Sequence, residues 1–447
     1  MVKEHRASFT TYRCVVLAAV AVILAVSSQS ALKAQVLYGS ITGNVQDRTH
    51  AAVPGAEVTI THADTGRVRT AVTNDAGRYD FSTVQTGAWT LKVGMPGFDV
   101  YEEKINVALN SVTRADVHLE VGGVAESLTV TSGASTLLQT DRAEVRAELP
   151  SKEIEDLPVP GARNYQTLFG TLPGFTTPVN AHSVPTNPSR ALQFNVNGTS
   201  ASSNDIRIDG ASQFDIWLPH ITVYIPSLEA IETVNVVTNS FDAEQGLAGG
   251  AAINVQIKSG TNDYHGSGFW YNSNNGLMAK PFFLPPGERN PKYIVNQYGG
   301  TLGGPIVRDK VFFFASYEST PERSFASTLA DIPTTAMRNG DMTGTDRPIY
   351  DPLTGNPDGS GRIPFPNNII PQERIHPIAK QIFDLMPAPT FEDTLTNNFY
   401  VGGRYAYDRS VLDSKVDWHI TDKLNMYGRF SVLRFEMLAP TLFGESL

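Results

Sequence analysis

After one short apolar run, Val15 to Val26, no stretch of this chain is long and apolar enough to cross a bilayer as a helix, yet segments of alternating apolar and polar residues recur towards its end. A spanning helix needs about 20 consecutive apolar residues. If the chain crosses a membrane it must do so with strands, whose backbone groups bond to neighbouring strands. The alternation is clearest late in the sequence. Leu412, Val416, Trp418 and Ile420 alternate with Asp413, Lys415, Asp417 and His419; Leu424, Met426, Phe430 and Val432 alternate with Asn425, Tyr427, Arg429 and Ser431. Successive strand side chains point to opposite faces, so each segment carries one apolar face and one polar face. A barrel wall with lipid outside fits this pattern, and so does a soluble sandwich with its apolar face inward.

The run Val15 to Val26 follows Lys3, His5, Arg6 and Arg13, the charged-then-apolar order of an export signal. Residues 1–34 are therefore expected to be a signal peptide, cut between Ser28 and Gln35. The single cysteine, Cys14, falls within it, so the mature chain has no thiol for disulfides or thiolate metal sites. A net charge of −10 over 447 residues, with no cluster of Lys and Arg, argues against a nucleic-acid partner. The length allows about three domains.

From Tyr38 onwards short extended segments are punctuated by Pro54-Gly55, Asp64-Thr65-Gly66, Asn74-Asp75-Ala76-Gly77 and Pro96-Gly97, the spacing of a β-sandwich. Ala115, Val117, Leu119 and Val121 alternate with Arg114, Asp116, His118 and Glu120, and Trp89, Leu91 and Val93 repeat the pattern. Gly77 supplies the positive φ that a hairpin after Asp75 needs. The pieces "VPGAEVTI", "TNDAGRYDF" and "GAWTLKVGMPGF" resemble the carboxypeptidase regulatory-like domain over residues 35–121. That resemblance implies a non-catalytic, transthyretin-like or carbohydrate-binding-like sandwich. Tyr79 and Trp89 are candidates for a carbohydrate-stacking platform, with burial in the core as the other reading.

Residues 122–259 are rich in Gly, Asn and Ser and poor in long periodic helices. The blocks "EIEDLPVPGARNYQTLFGTLPGF", "FNVNGTSASSNDIRIDG" and "PSLEAIETVNVVTNSFDAEQGLAGGAAINVQIKSGTNDYHG" resemble, in order, the plug of TonB-dependent receptors. The resemblance implies an α+β plug. Ahead of it Glu126, Ser127, Leu128, Thr129, Val130 and Thr131 look like a TonB box, an extended segment that pairs with an edge strand of TonB. Main-chain pairing explains why β-formers matter there more than particular side chains. A linker strand would read the same way.

Beyond residue 260 five strands are expected: Tyr264–Asn272, Asn296–Gly303, Lys310–Glu318, Ser410–Ile420 and Leu424–Phe435. Their connections alternate long, short, long, short, as external loops and periplasmic turns do. The pieces "NQYGGTLGGPIVRDKVFFFASYE", "IPTTAMRNGDMTG", "IYDPLTG" and "IPFPNNIIPQERIHPIAKQI" resemble the Oar-like barrel of TonB-dependent transporters. Such plugged barrels have about 22 strands, so the expectation for residues 260–447 is the start of an antiparallel outer-membrane β-barrel in an N-terminal fragment.

The fold class expected is thus mainly β: sandwich, plug, incomplete barrel. No catalytic pattern stands out, since none of the nine histidines begins an HxxE and there is no GxSxG or Gly-Lys. No enzyme activity, cofactor or metal is expected. Asp351, Asn356 and Asp358 lack the spacing of an EF-hand and suit a turn-rich loop. The expected function is energised uptake across the cell outer membrane, with TonB, outer-membrane lipid and an extracellular carbohydrate or peptide as partners. The alternative is a secreted or surface binding module.

Overall fold

The computed structural model describes residues 38–122, 128–130, 144–159, 163–241, 245–246, 248–280, 282, 289–421 and 424–440. The expected export signal with Cys14, and Glu126, Ser127 and Thr131 of the expected TonB box, lie outside the described residues.

Nine short strands come first: β1 (Gly39–Asp47), β2 (Glu57–His62), β3 (Val68–Val72), β4 (Arg78–Val84), β5 (Gly87–Gly94), β6 (Tyr101–Val107), β7 (Val112–Arg114), β8 (Val117–Leu119) and β9 (Leu128–Val130). β1 pairs with β4, β7 and β8 in one sheet, and the other runs β3-β2-β5-β6-β9. The inward residues Ile41, Val45, Val58, Ile60, Phe81, Trp89, Leu91, Val93, Val117 and Leu119 interlock as one core. The turn into β4 closes on Asn74, whose Oδ1 accepts from the N–H groups of Ala76 and Arg78 at 3.0 and 2.9 Å. Gly77 there has φ of 70°, and a Cβ would fall 2.5 Å from the Val45 carbonyl oxygen, so only glycine fits. Val121 departs from the expected alternation: it bridges Phe98 at the rim of the sandwich and is exposed.

The next unit contains β10 (Val145–Pro150), β11 (Val179–Asn180), β12 (Leu192–Gln193), β13 (Asp205–Ile208), β14 (Ala211–Ser212), β15 (Ile231–Asn239) and β16 (Ala252–Ile257). Its main sheet has the order β10-β15-β16-β13-β14, with β13 parallel to β16. Val234 and Val236 point into a core with Leu149, Ile154, Tyr165, Phe169, Phe194 and Ile253. Asn235, on the opposite face of β15, is also buried, because it donates from Nδ2 to the Leu109 carbonyl of the sandwich at 3.0 Å.

Five longer strands follow: β17 (His265–Asn274), β18 (Tyr293–Val307), β19 (Val311–Ala330), β20 (Phe399–Thr421) and β21 (Leu424–Leu438). They form an open antiparallel sheet in chain order. The connections 275–292, 308–310, 331–398 and 422–423 keep the expected long-short alternation. β19 and β20 are 20 and 23 residues long, well beyond the expected Lys310–Glu318 and Ser410–Ile420. A tilted strand crosses a bilayer in about 9–11 residues, so both run on past it into the long loop. That loop is itself folded, with bridges Asp341–Ile369 and Tyr350–Pro364 and a helix at Pro377–Leu385.

Candidate functional site

The five-stranded wall has its faces arranged opposite to those of a water-soluble sandwich. Leu412, Val416, Trp418, Met426 and Phe430 point outward and are between 36% and 64% exposed. Ser316, Glu318, Thr320, Arg409, Asp413 and Lys415 point inward and are buried against the plug. Burying polar groups while exposing apolar ones is stable only where the exterior is hydrocarbon. Exposed aromatics stand at two levels: Trp270 and Tyr298, paired across β17 and β18, with Tyr317 at one, and Tyr264 and Trp418 at the other. Aromatic belts of this kind sit at the two bilayer interfaces. Above the first level the outward face turns charged, where Arg323 grips Asp408 with two bonds of 2.7 and 2.8 Å.

Three polar clusters join plug to wall. Asp209, just past β13, holds φ of 46° and is buried. Its Oδ1 accepts from the Ile257 N–H at 3.1 Å and lies 3.4 Å from Lys415 Nζ, while Oδ2 faces Arg429 Nε at 3.3 Å. Lys415 Nζ also donates to the Ile257 carbonyl at 3.0 Å, and the Tyr427 hydroxyl to the Asp209 carbonyl at 2.9 Å. Further along, Glu318 accepts from Ser227 Oγ at 2.9 Å and pairs with Arg409 at 3.3 Å; Arg409 donates onward to the Ile225 carbonyl at 2.7 Å. Nearer the long loop, Arg190 meets Glu322 at 2.8 Å with its guanidinium 4.0 Å over the Tyr407 ring. Buried charge persists only when paired and hydrogen-bonded; the first and third clusters pair a plug charge with a wall charge, and in the second the wall pair Glu318–Arg409 is hydrogen-bonded by Ser227 and the Ile225 carbonyl of the plug. Asp413, Lys415, Asp417 and Arg429 were readable as inward-facing from the strand period. The plug partners of the seam were not, because Asp209, which meets Lys415 and Arg429, and Ile225 and Ser227, which meet Arg409 and Glu318, lie in irregular segments far away in sequence.

Of the two readings of Tyr79 and Trp89, a candidate stacking platform or burial in the core, the rings take the second. Tyr79 and Trp89 are 2% and 1% exposed, so neither offers a ring face to a ligand. The Tyr79 hydroxyl donates to the Ala115 carbonyl at 2.6 Å, and Trp89 Nε1 to the Gln85 carbonyl at 2.8 Å. Both rings close the core and satisfy their one polar atom inside it. His62 packs edge-on against Trp89 at 4.9 Å, and burial pushes its imidazole below its ordinary value. In the long loop the Asp351 carboxylate is occupied by Arg374, which holds it below the usual carboxylate range, while Asp358 caps its own turn at Ser360.

The sandwich sits against the end of the plug where the short turns lie. Thr86 Oγ1 donates to Gln256 Oε1 at 2.9 Å. Asn262 Nδ2 donates to the Thr65 carbonyl at 2.8 Å and to Asp309 Oδ1 at 2.7 Å, in the turn between β18 and β19. Of the expected TonB box, Leu128, Thr129 and Val130 form β9, paired in parallel with Tyr101, Glu102 and Glu103 of β6.

A wall with these two faces, packed against the second unit largely through polar contacts, has the architecture expected at the start of a plugged outer-membrane β-barrel. Residues 256–447 match the outer membrane beta barrel domain, and residues 40–120 match the carboxypeptidase regulatory-like domain. The chain is a homologue of the TonB-dependent transporter Oar of Myxococcus xanthus, with 26% identity over 310 residues. That alignment covers 64% of this chain and 28% of the relative's length. Among solved structures, the outer membrane transporter YddB from Escherichia coli is 13% identical at a TM-score of 0.38, covering 63% of this chain and 31% of its own. A mutant ferric enterobactin receptor from Pseudomonas aeruginosa, in complex with enterobactin, is 14% identical at 0.36, covering 67% and 34%. Catechol 1,2-dioxygenase of Acinetobacter radioresistens is 14% identical at 0.18 over 22% of this chain and 58% of that one.

Proposed function

We propose that this chain supplies the export signal, periplasmic sandwich, plug and first wall strands of a transporter that takes up an extracellular ligand with energy delivered by TonB. Residues 1–34 direct export, the sandwich occupies 35–121, the plug 122–259, and the wall begins at 260. The observation that carries the reading is the polar seam between plug and wall. An interface of hydrogen bonds and ion pairs can re-form its bonds with water on opening, at a net cost of about 0.5–1.5 kcal/mol per neutral bond and about 3–5 kcal/mol where a charge is left buried without its partner. A close-packed apolar seam would lose its full burial energy on opening. A plug held largely by polar contacts, with Phe314 the wall residue that enters its apolar core, is suited to move aside when pulled. Residues Glu126 to Thr131 are the place to pull, because strand addition to a partner sheet needs only an extended backbone with free N–H groups.

The test is capture of the TonB periplasmic domain by the membrane-embedded protein. Proline removes a donor and fixes φ, so Leu128→Pro should abolish capture, whereas Leu128→Ala keeps the backbone and should weaken it little. Undiminished capture by the proline variant would make residues 126–131 a linker and move the coupling site elsewhere.

A further inference from the structure

Between plug and wall lies a cavity lined by three guanidiniums, Arg163 and Arg190 of the plug and Arg409 of β20, together with Glu318 and Thr320 of β19. The backbone brings these groups together in two pairs. Thr320 and Arg409 are register partners on β19 and β20, so their side chains stand side by side on the inner face of the wall, with Cβ atoms about 5 Å apart. On the plug, Asn164 Nδ2 donates to the Arg190 carbonyl at 3.1 Å, which holds the backbone at Arg163 and Asn164 against Arg190. Aromatic rings fix both plug guanidiniums: Arg163 lies 4.1 Å over Tyr271 and Arg190 4.0 Å over Tyr407. A guanidinium stacked on a ring still presents the N–H groups of its edge to an acceptor.

Each guanidinium already has one carboxylate: Glu229 at 3.0 Å from Arg163, Glu322 at 2.8 Å from Arg190 and Glu318 at 3.3 Å from Arg409. These pairs do not use up the donors. Among the described residues, Arg163 Nη1, Arg409 Nε and Thr320 Oγ1 are buried and have no hydrogen-bond partner. Arg409 and Thr320 are 7% and 2% exposed. A buried donor left unmet is costly, most of all on a charged group, and three of them around one cavity call for an acceptor inside it. Of the three carboxylates only Glu318 lines the cavity, so its walls carry three positive charges to one negative.

We propose that this cavity binds a small oxyanion, a carboxylate or inorganic phosphate, which accepts from Arg163, Arg409 and Thr320 together. Guanidinium N–H groups and hydroxyls are the donors that hold such oxygens, and the charge-assisted bonds are the stronger ones. Water could meet the same donors but would leave the positive excess of the lining uncompensated. Because Arg163 belongs to the plug and Arg409 and Thr320 to the wall, the bound anion bridges the seam between them. The site is independent of the coupling role proposed for Glu126 to Thr131.

The experiment follows the melting temperature of the full chain in detergent as sodium formate or sodium phosphate replaces sodium chloride at constant ionic strength. An anion that binds only the folded protein raises the melting temperature with its concentration. Bulk salt effects act on parent and variants alike, so the difference between them is the readout. Thr320→Val keeps the shape of the side chain and removes a hydroxyl that has no partner in the protein. It should leave the melting temperature in chloride unchanged or higher, while weakening the anion's apparent affinity about threefold. Arg163→Gln removes a charged donor and should weaken it at least tenfold. A larger shift with formate identifies a carboxylate and a larger shift with phosphate an inorganic anion, and either supports the site. No shift with formate or phosphate in the parent would leave water as the occupant and overturn the proposal. Equal shifts in the parent and in Thr320→Val would overturn it as well, even if Arg163→Gln failed to fold.

Discussion

Lys415, on the wall, and Asp209, in the plug, face each other at 3.4 Å with both side chains almost completely removed from solvent. Asp417 lies near Lys415 on its own strand, and Arg429 also reaches Asp209 from the neighbouring wall strand at 3.3 Å. Lys415→Met should therefore destabilise the seated plug by about 3 kcal/mol, the lower end of what breaking a buried pair costs, because Arg429 remains. Proteolysis of the plug in detergent-embedded protein would read this as faster cleavage. The double variant Asp209→Asn with Lys415→Met should recover part of the loss. A Lys415→Met protein as resistant as the parent would mean that the cluster contributes nothing to seating.

The sandwich has its own core and should unfold as one cooperative unit when residues 35–121 are produced alone. Trp89 is the only tryptophan in that segment and is 1% exposed, so its emission should be blue-shifted and should move red in a single transition. Trp89→Ala should cost about 3–5 kcal/mol, enough to leave so small a domain largely unfolded. A stable Trp89→Ala domain would contradict the buried assignment.

His62 gives the same domain a pH dependence of definite sign. Burial depresses its folded-state pKa below the unfolded value of about 6.5. The unfolded chain therefore binds the proton more readily, and the stability present above about pH 6.5 is lost as pH falls towards the folded value. The melting temperature should drop between about pH 7 and about pH 5, and His62→Gln should flatten that part of the profile. An unchanged slope in the variant would assign the effect to other groups.

Protein recovered from the envelope should begin between Gln29 and Val36, as read by N-terminal sequencing, if Val15 to Val26 is the apolar core of an export signal. An intact Met1 in that fraction would refute export by this segment.

The strands of the wall were legible because their two faces meet different surroundings, and period two records the difference. The same reasoning explains where legibility ended. Beyond Glu318 the strand β19 continues through Ser319, Thr320, Pro321, Glu322, Arg323 and Ser324, where Arg323 and Asp408 already face outward, so both faces are polar and alternation disappears. In the sandwich the alternation around Trp89 was readable, but the choice between core and surface for that ring required the opposing sheet. Leu128 to Val130 could be read as extended because of their residue types. Their partner could not, since β6 supplies main-chain groups and leaves no mark on the sequence of the strand it receives. The plug contacts of Arg409 and Lys415 were hidden for a related reason: two of the acceptors are backbone carbonyls, of Ile225 and Ile257.

Asn262 ties the sandwich to the first tight turn of the wall with one short side chain, donating to Thr65 and Asp309 while its own Oδ1 accepts from the Asp309 N–H at 2.9 Å. Its backbone N–H is also committed, to the Asp64 carbonyl at 3.0 Å. A side chain with two rotatable bonds that serves three fixed partners has no intermediate pose in which it keeps some and trades others. The joint between sandwich and wall should consequently behave as a clasp with two positions, closed or undone, and a swivelling sandwich would have to open it completely before turning at all.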